Sequence, residues 1–219
     1  MIRLSLFLVI AQLSVNQLSA QYWDTTWVVE SNKFEFHAQH FSPSHSFLSL
    51  KKNGELVFRD STDYAGPRES GVFTDFNSDG HPDFLMHWIG QSPYDRLYLY
   101  DKNSQSYYNV KGFKEERSAQ ALKQHKDLYF SYSKAGCADN NWYSYLFKIE
   151  DKAVKRLGTI WGNGCLEEID DWYIEIRKNG EEQDFRVVDT YPFDTLKTFN
   201  QYKWEFIEKY WEQYAQKFK

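Results

Sequence analysis

The stretch that decides the fold reads Val72-Phe73-Thr74-Asp75-Phe76-Asn77-Ser78-Asp79-Gly80-His81-Pro82-Asp83-Phe84-Leu85-Met86-His87-Trp88-Ile89. Its two flanks are rich in β-branched and aromatic residues and read as strands. Between them, oxygen-bearing side chains fall at loop positions 1, 3, 5 and 9, with Gly80 at position 6. That spacing suits a hard cation held by Asp75, Asn77, Asp79, Asp83 and the backbone carbonyl of His81, with Gly80 supplying the sharp turn. Three carboxylates favour Ca2+ over Mg2+, which gives up its waters reluctantly. A helix–loop–helix calcium hand needs a bidentate Glu at position 12, where Met86 stands. The same residues also suit a polar Asp/Asn/Gly turn that joins two strands and holds no ion.

Outward from this hairpin the pattern repeats. Phe47-Leu48-Ser49-Leu50 and Glu55-Leu56-Val57-Phe58 flank Asn53-Gly54, a strong two-residue hairpin signal. Leu97-Tyr98-Leu99-Tyr100 turns at Asp101-Lys102-Asn103 into Ser106-Tyr107-Tyr108. Trp142 to Ile149 turns at Glu150-Asp151-Lys152 into Val154 to Ile160, and Trp172 to Arg177 turns at Asn179-Gly180 into Phe185-Arg186-Val187-Val188. Successive hairpins mean antiparallel pairing. The sequence therefore predicts an all-β meander, as a sandwich, a barrel or a small propeller-like body. After Pro192 the period changes: Phe199, Tyr202, Phe206, Tyr210, Tyr214 and Phe218 step by three or four. This predicts an amphipathic helix from an Asp194 N-cap to Phe218, packed on the sheets.

Residues 1–20 carry Arg3, an apolar run and Leu18-Ser19-Ala20, the pattern of a secretory signal; an uncleaved N-terminal anchor is the alternative. The expected organisation is a signal over 1–20, an all-β domain over 21–192 and the helix over 193–219. The address is a periplasm or the cell exterior. Cys137 and Cys165 are the two cysteines, which in an exported chain reads as one disulfide. Net charge is −5 and the basic residues are scattered, which argues against nucleic acid and for a cation or a basic protein as partner.

Catalytic motifs are sparse. There is no Gly-x-Ser-x-Gly elbow, phosphate-binding loop, His-Glu-x-x-His or dinucleotide fingerprint, so the chain reads as a non-enzyme. His37, His40 and His45 lie close in sequence but lack an evident fourth ligand for a metal. Glu167, Glu168, Asp170 and Asp171 form an acidic cluster that reads as a solvated loop, with paired-carboxylate glycoside hydrolysis as the enzymatic alternative. Trp161, in Trp-Gly-Asn-Gly, is the best candidate for a ring exposed in a loop, where it would stack on a glycan in a carbohydrate-binding or adhesive module.

The strand–DxNxDGxxD–strand unit resembles the calcium loops of FG-GAP and VCBS-type β-propeller repeats. A longer stretch, residues 71–160, is similar in element order to periplasmic inhibitors of invertebrate-type lysozyme and to calcium-binding immunity proteins that neutralise peptidoglycan-degrading toxins. The resemblance implies a structural Ca2+ and an exposed loop that plugs the cleft of a cell-wall hydrolase. Residues 131–142, Ser-Tyr-Ser-Lys-Ala-Gly-Cys-Ala-Asp-Asn-Asn-Trp, stand where that loop is expected, with Ser131, Tyr132, Ser133, Asn140 and Trp142 as contact candidates. The Ser-Gly-x-Tyr form of the inhibitory motif is not present there.

Overall fold

The structure is a computed structural model that describes residues 22–42, 45–62, 69–88, 93–165, 172–179 and 185–219. The signal-like segment, the Glu167, Glu168, Asp170 and Asp171 cluster and the Gly180 turn lie outside the described residues.

The strands form three antiparallel sheets. The first holds β1 (Tyr22–Val29), β2 (Asn32–Ser42), β3 (His45–Lys52) and β4 (Glu55–Thr62) in sequence order. The second holds β5 (Glu69–Thr74), β6 (Asp83–Trp88), β7 (Tyr94–Asp101) and β8 (Ser106–Asn109), again in sequence order. The third contains β9 (Gln120–Ala121), β10 (Tyr129–Phe130), β11 (Ser133–Lys134), β12 (Asn141–Glu150), β13 (Ala153–Asn163), β14 (Tyr173–Asn179) and β15 (Phe185–Pro192). Its order is β15-β14-β13-β12-β10-β9, with β11 pairing onto the start of β12. The tight β3–β4 turn is made by Asn53 and Gly54 at φ 53° and 88°, the left-handed pair a two-residue hairpin requires.

Alternating residues glue the sheets face to face, so the body is a layered, sandwich-like stack. Phe34, Phe36, Leu48, Leu50 and Phe58 of the first sheet pack on Phe84, Met86, Tyr98 and Tyr107 of the second. The second sheet is buried on both faces: Leu97 and Leu99, on the opposite side from Tyr98, meet Phe113, Tyr129 and Phe147. Asp60 of β4 pins the first two sheets together, accepting hydrogen bonds from Tyr98 Oη at 2.8 Å and Asn109 Nδ2 at 3.0 Å.

The outer face of the third sheet is closed by the C-terminal segment. Trp142, Ile160, Ile174 and Ile176 pack on Phe206, Ile207, Trp211 and Phe218. The helix is shorter than the pattern predicts. Phe193–Thr198 forms a 3-10 turn, Phe199 is extended, Tyr202 takes a left-handed φ of 53°, and only Lys203–Tyr214 is α-helix, named α1. A 3-10 turn buries every third residue, as with Phe193 and Leu196, so the apolar spacing runs on through the break. Pro192, not Asp194, stands at the start of the 3-10 turn.

Candidate functional site

Two loops carry the polar residues singled out by the sequence. Residues 75–83 connect β5 to β6, closed by the Thr74–Asp83 pairing. Phe76, at the second position, points inward and stacks on Tyr129 with ring centroids 5.0 Å apart. The polar side chains turn onto the loop's own backbone. Asp75 accepts the N–H groups of Asp79 at 2.9 Å and Gly80 at 3.0 Å; Asn77 Oδ1 also takes Asp79 N–H, and Asp79 Oδ1 takes His81 N–H. Gly80 adopts φ 87°, as its place in the turn requires.

Asp83 differs from the rest in being fully buried. Its Oδ1 accepts Tyr100 N–H at 2.8 Å and its Oδ2 accepts Phe76 N–H at 3.0 Å, which ties the loop to β7. Burial pushes its pKa up to about 7, with a further push from the Asp79 charge, against the pull of these N–H donors. The donor types fit a hard cation, and each carboxylate keeps free lone pairs after its N–H bonds. Their arrangement does not bring three of them to one point. Among the described residues no group of three or more His, Cys, Asp or Glu side chains is placed to hold a metal ion. His37 Nδ1 bonds Asp24 Oδ1 across β1 and β2.

The second loop spans residues 135–140, between β11 and β12. Here the structure corrects the expected contact residues. Ser131, Tyr132, Ser133 and Trp142 are not loop-tip residues: they are 0, 4, 8 and 0 % exposed. Ser131 Oγ donates to the buried Glu116 at 2.8 Å, and that carboxylate accepts from Arg156 Nε at 2.7 Å. Ser133 pairs with Tyr143 in the sheet. Trp142 lies flat against Gly162, where a Cβ would stand 2.2 Å from its ring, and among the described residues its indole N–H has no partner. Asn140 is exposed as expected. Trp161 is not in a loop but on β13, half-buried between Tyr143 and Glu175.

What remains at the tip is a small, exposed, tightly tethered turn. Cys137, Ala138 and Asp139 hold left-handed φ values of 51°, 51° and 74°, a conformation that costs non-glycine residues about 1–3 kcal/mol each. Cys137 is joined to Cys165 across 28 residues with Cα atoms 6.1 Å apart. Asp139 is gripped from two sides. Tyr132 Oη donates to its Oδ1 at 2.5 Å, while Lys203 Nζ reaches its Oδ2 at 2.6 Å and its carbonyl at 2.8 Å. Beside the tip, Trp204 stands over Tyr132 with centroids 4.1 Å apart, and both Trp204 and Tyr202 are 41 % exposed. Sequence reasoning missed Lys203, Trp204 and Tyr202 because it placed them on one uninterrupted helix. The break at Tyr202 precedes the buried Lys203, which reaches Asp139, and Trp204, which lies over Tyr132.

No protein-family profile matches the chain, and no curated protein sequence matches it. Among solved structures, the fold is similar to that of a Xanthomonas type IV secretion system related protein, with a TM-score of 0.51 at 12 % identity, over 76 % of this chain and 93 % of that one. At that identity the likeness shows a shared fold, a β-rich body covering most of both chains.

Proposed function

We propose that the chain is an exported, non-enzymatic β module that binds another protein through residues 135–140, and that its partner is a basic cell-wall hydrolase whose cleft the loop enters. The observation that carries this reading is the left-handed Cys137–Asp139 turn. Three consecutive strained residues persist only where the surroundings over-determine them, and such strain clusters where a shape is presented to a ligand. A loop held in its bound shape before docking loses less entropy on association. Trp204, half-exposed over Tyr132, supplies an aromatic anchor of the kind that dominates binding energy at interfaces. The net charge of −5 suits a basic partner. The similarity to a secretion-system related protein accords with a periplasmic or secreted address, and among the described residues no helix is long and apolar enough to cross a membrane.

In the same reading, Ca2+ binding draws Asp75, Asn77, Asp79, the His81 carbonyl and Asp83 out of the arrangement described above to converge on one ion in the 75–83 loop. A bound cation would offset the repulsion between Asp79 and the buried Asp83. Its role is to stiffen the hairpin, since nothing about the loop suggests chemistry on a substrate.

The test is a titration of the purified chain against invertebrate-type and other lysozymes, following the clearing of peptidoglycan suspensions. Stoichiometric inhibition that is weakened by Asn140→Arg and by Trp204→Ala, with melting temperatures unchanged, is the expected result. Clearing that proceeds at the same rate with and without the chain, for every lysozyme class, removes the hydrolase partner. Calorimetry with millimolar calcium tests the ion separately.

A further inference from the structure

The face of the third sheet turned away from α1 is covered by the second sheet only at one end, around Phe147 and Tyr129. Beyond that end, among the described residues, it is open. Two cross-strand rows lie side by side there, Tyr145–Thr159–Arg177 and Tyr143–Trp161–Glu175. They border an open cleft of about 490 Å³ that reaches Asn141, at the foot of the tethered loop.

Arg177 is the centre of this surface. Its guanidinium lies 4.4 Å over the Trp161 ring and 4.3 Å over Phe185. Its Nε donates to Glu175. A guanidinium has five N–H donors, and among the described residues the two terminal amino groups of Arg177 meet no acceptor. Asn141 spends its Oδ1 on Gly164 N–H at 3.0 Å, which leaves its amide hydrogens as donors. Arg177 is offset by Glu175, and Arg156, which lies 3.7 Å over the Tyr145 ring, by Glu116, so the cleft presents donors and acceptors without net charge, set among the rings of Tyr143, Tyr145 and Trp161.

We propose that this cleft binds an uncharged oligosaccharide. A pyranose ring offers apolar C–H faces and a rim of hydroxyls that both donate and accept. Tyrosine and tryptophan rings match the first, and the Arg177–Glu175 pair with Asn141 matches the second. The balanced charge speaks against an acidic ligand, which the chain's net charge of −5 would also repel. The lining joins the rings of Tyr143, Tyr145 and Trp161 to hydroxyls, an amide and a guanidinium, the mixture of apolar face and polar rim that suits a sugar. The cleft shares Ala135 with the protein-binding loop, but its ligand is argued from the sheet face and does not depend on that reading.

Tryptophan fluorescence of the purified chain, titrated with cellohexaose and with chitohexaose, tests the proposal. A saturable change with at least one of them is expected. Arg177→Gln should weaken it about tenfold with an unchanged melting temperature, and Trp204→Phe, on the opposite side of the sheet, should leave it intact. No saturable change with either sugar at millimolar concentration, binding indifferent to Arg177→Gln, or binding to polygalacturonate alone would each overturn it. Loss of lysozyme inhibition in Trp204→Phe with sugar binding retained separates the two sites.

Discussion

Lys203→Met removes the charge that holds the exposed turn and keeps the packing of the lysine stem. In the native structure the Lys203 side chain is 9 % exposed and its Nζ makes two bonds to Asp139, one to the carboxylate and one to the carbonyl. A hydrogen bond to a charged group contributes about 1.5–3 kcal/mol. Breaking a fully buried ion pair costs about 3–5 kcal/mol, but Asp139 is 25 % exposed and keeps Tyr132 as a donor, so the lower range applies. A loss of about 2 kcal/mol at pH 7 follows, or about 4–8 °C in melting temperature for a chain of this size.

The pH dependence separates the two bonds. Burial alone would raise the Asp139 pKa; hydrogen bonds from Lys203 and Tyr132 and the lysine charge outweigh it and hold the group below its ordinary value. A depressed carboxylate pKa contributes stability above the unfolded value and loses it as pH falls through the folded value. The part of the deficit due to the carboxylate should therefore shrink as pH falls below about 4, whereas the part due to the carbonyl should persist. Urea unfolding at pH 7 and pH 3 measures both. An equal deficit at the two pH values would show that the carboxylate plays no part, and a deficit under about 0.5 kcal/mol would place the mutation among ordinary surface changes.

Gly162→Ala would force a methyl group to within 2.2, 2.3 and 2.6 Å of Trp142 ring atoms in the core, so a loss of about 1–3 kcal/mol or more is expected in chemical denaturation. Trp142→Leu in the same chain should relieve part of that clash, giving a non-additive double mutant; strictly additive effects would argue against the contact. Reduction of the Cys137–Cys165 bond, which closes a loop with a sequence separation of 28, should cost about 3–4 kcal/mol, and a melt unaffected by reductant would contradict it. In chelator, the raised Asp83 pKa means that the folded state holds a proton the unfolded state has lost. Stability from that group is present below about pH 4 and falls by about 4 kcal/mol as pH rises to 7. Millimolar calcium should flatten the trend by keeping Asp83 ionised and paired, and identical pH profiles with and without calcium would remove the ion from the proposed function.

Much of the fold is legible in local sequence because a hairpin is a local event. Asn53-Gly54 dictates its own turn, and the alternation in β3 and β12 names the buried face without knowledge of what covers it. The stacking order is not legible, since it depends on which of two suitable faces meet. The second sheet, buried on both sides, reads like any other Tyr-rich meander. The expected segment 131–142 contains a turn at 135–140, but Ser131, Tyr132, Ser133 and Trp142 are buried beside it, a fact illegible for a related reason. Ser131 looks like a surface hydroxyl until Glu116 and Arg156, which lie 40 residues apart, are seen to meet beneath it. A buried polar residue is recognised by its partner, and the partner is distant in sequence.

The two loops are joined by rings. Phe76, inside the 75–83 loop, stacks on Tyr129, and Tyr129 stacks on Phe147 at 5.4 Å. Tyr129 belongs to β10, which leads within three residues to Tyr132 and its bond to Asp139. Packed aromatic contacts can carry a shift, but adjacency alone does not demonstrate coupling. If calcium stiffens the first loop, amide exchange should slow at Phe76 and Tyr129 and also at Tyr132 and Asp139, which lie outside the cation site. Hydrogen exchange with and without millimolar calcium reads each amide separately. Protection confined to residues 75–83 would make the cation loop a local brace with no bearing on the binding turn. Protection extending to Asp139 would show that residues 75–83 and the strained 137–139 turn respond to calcium as one unit.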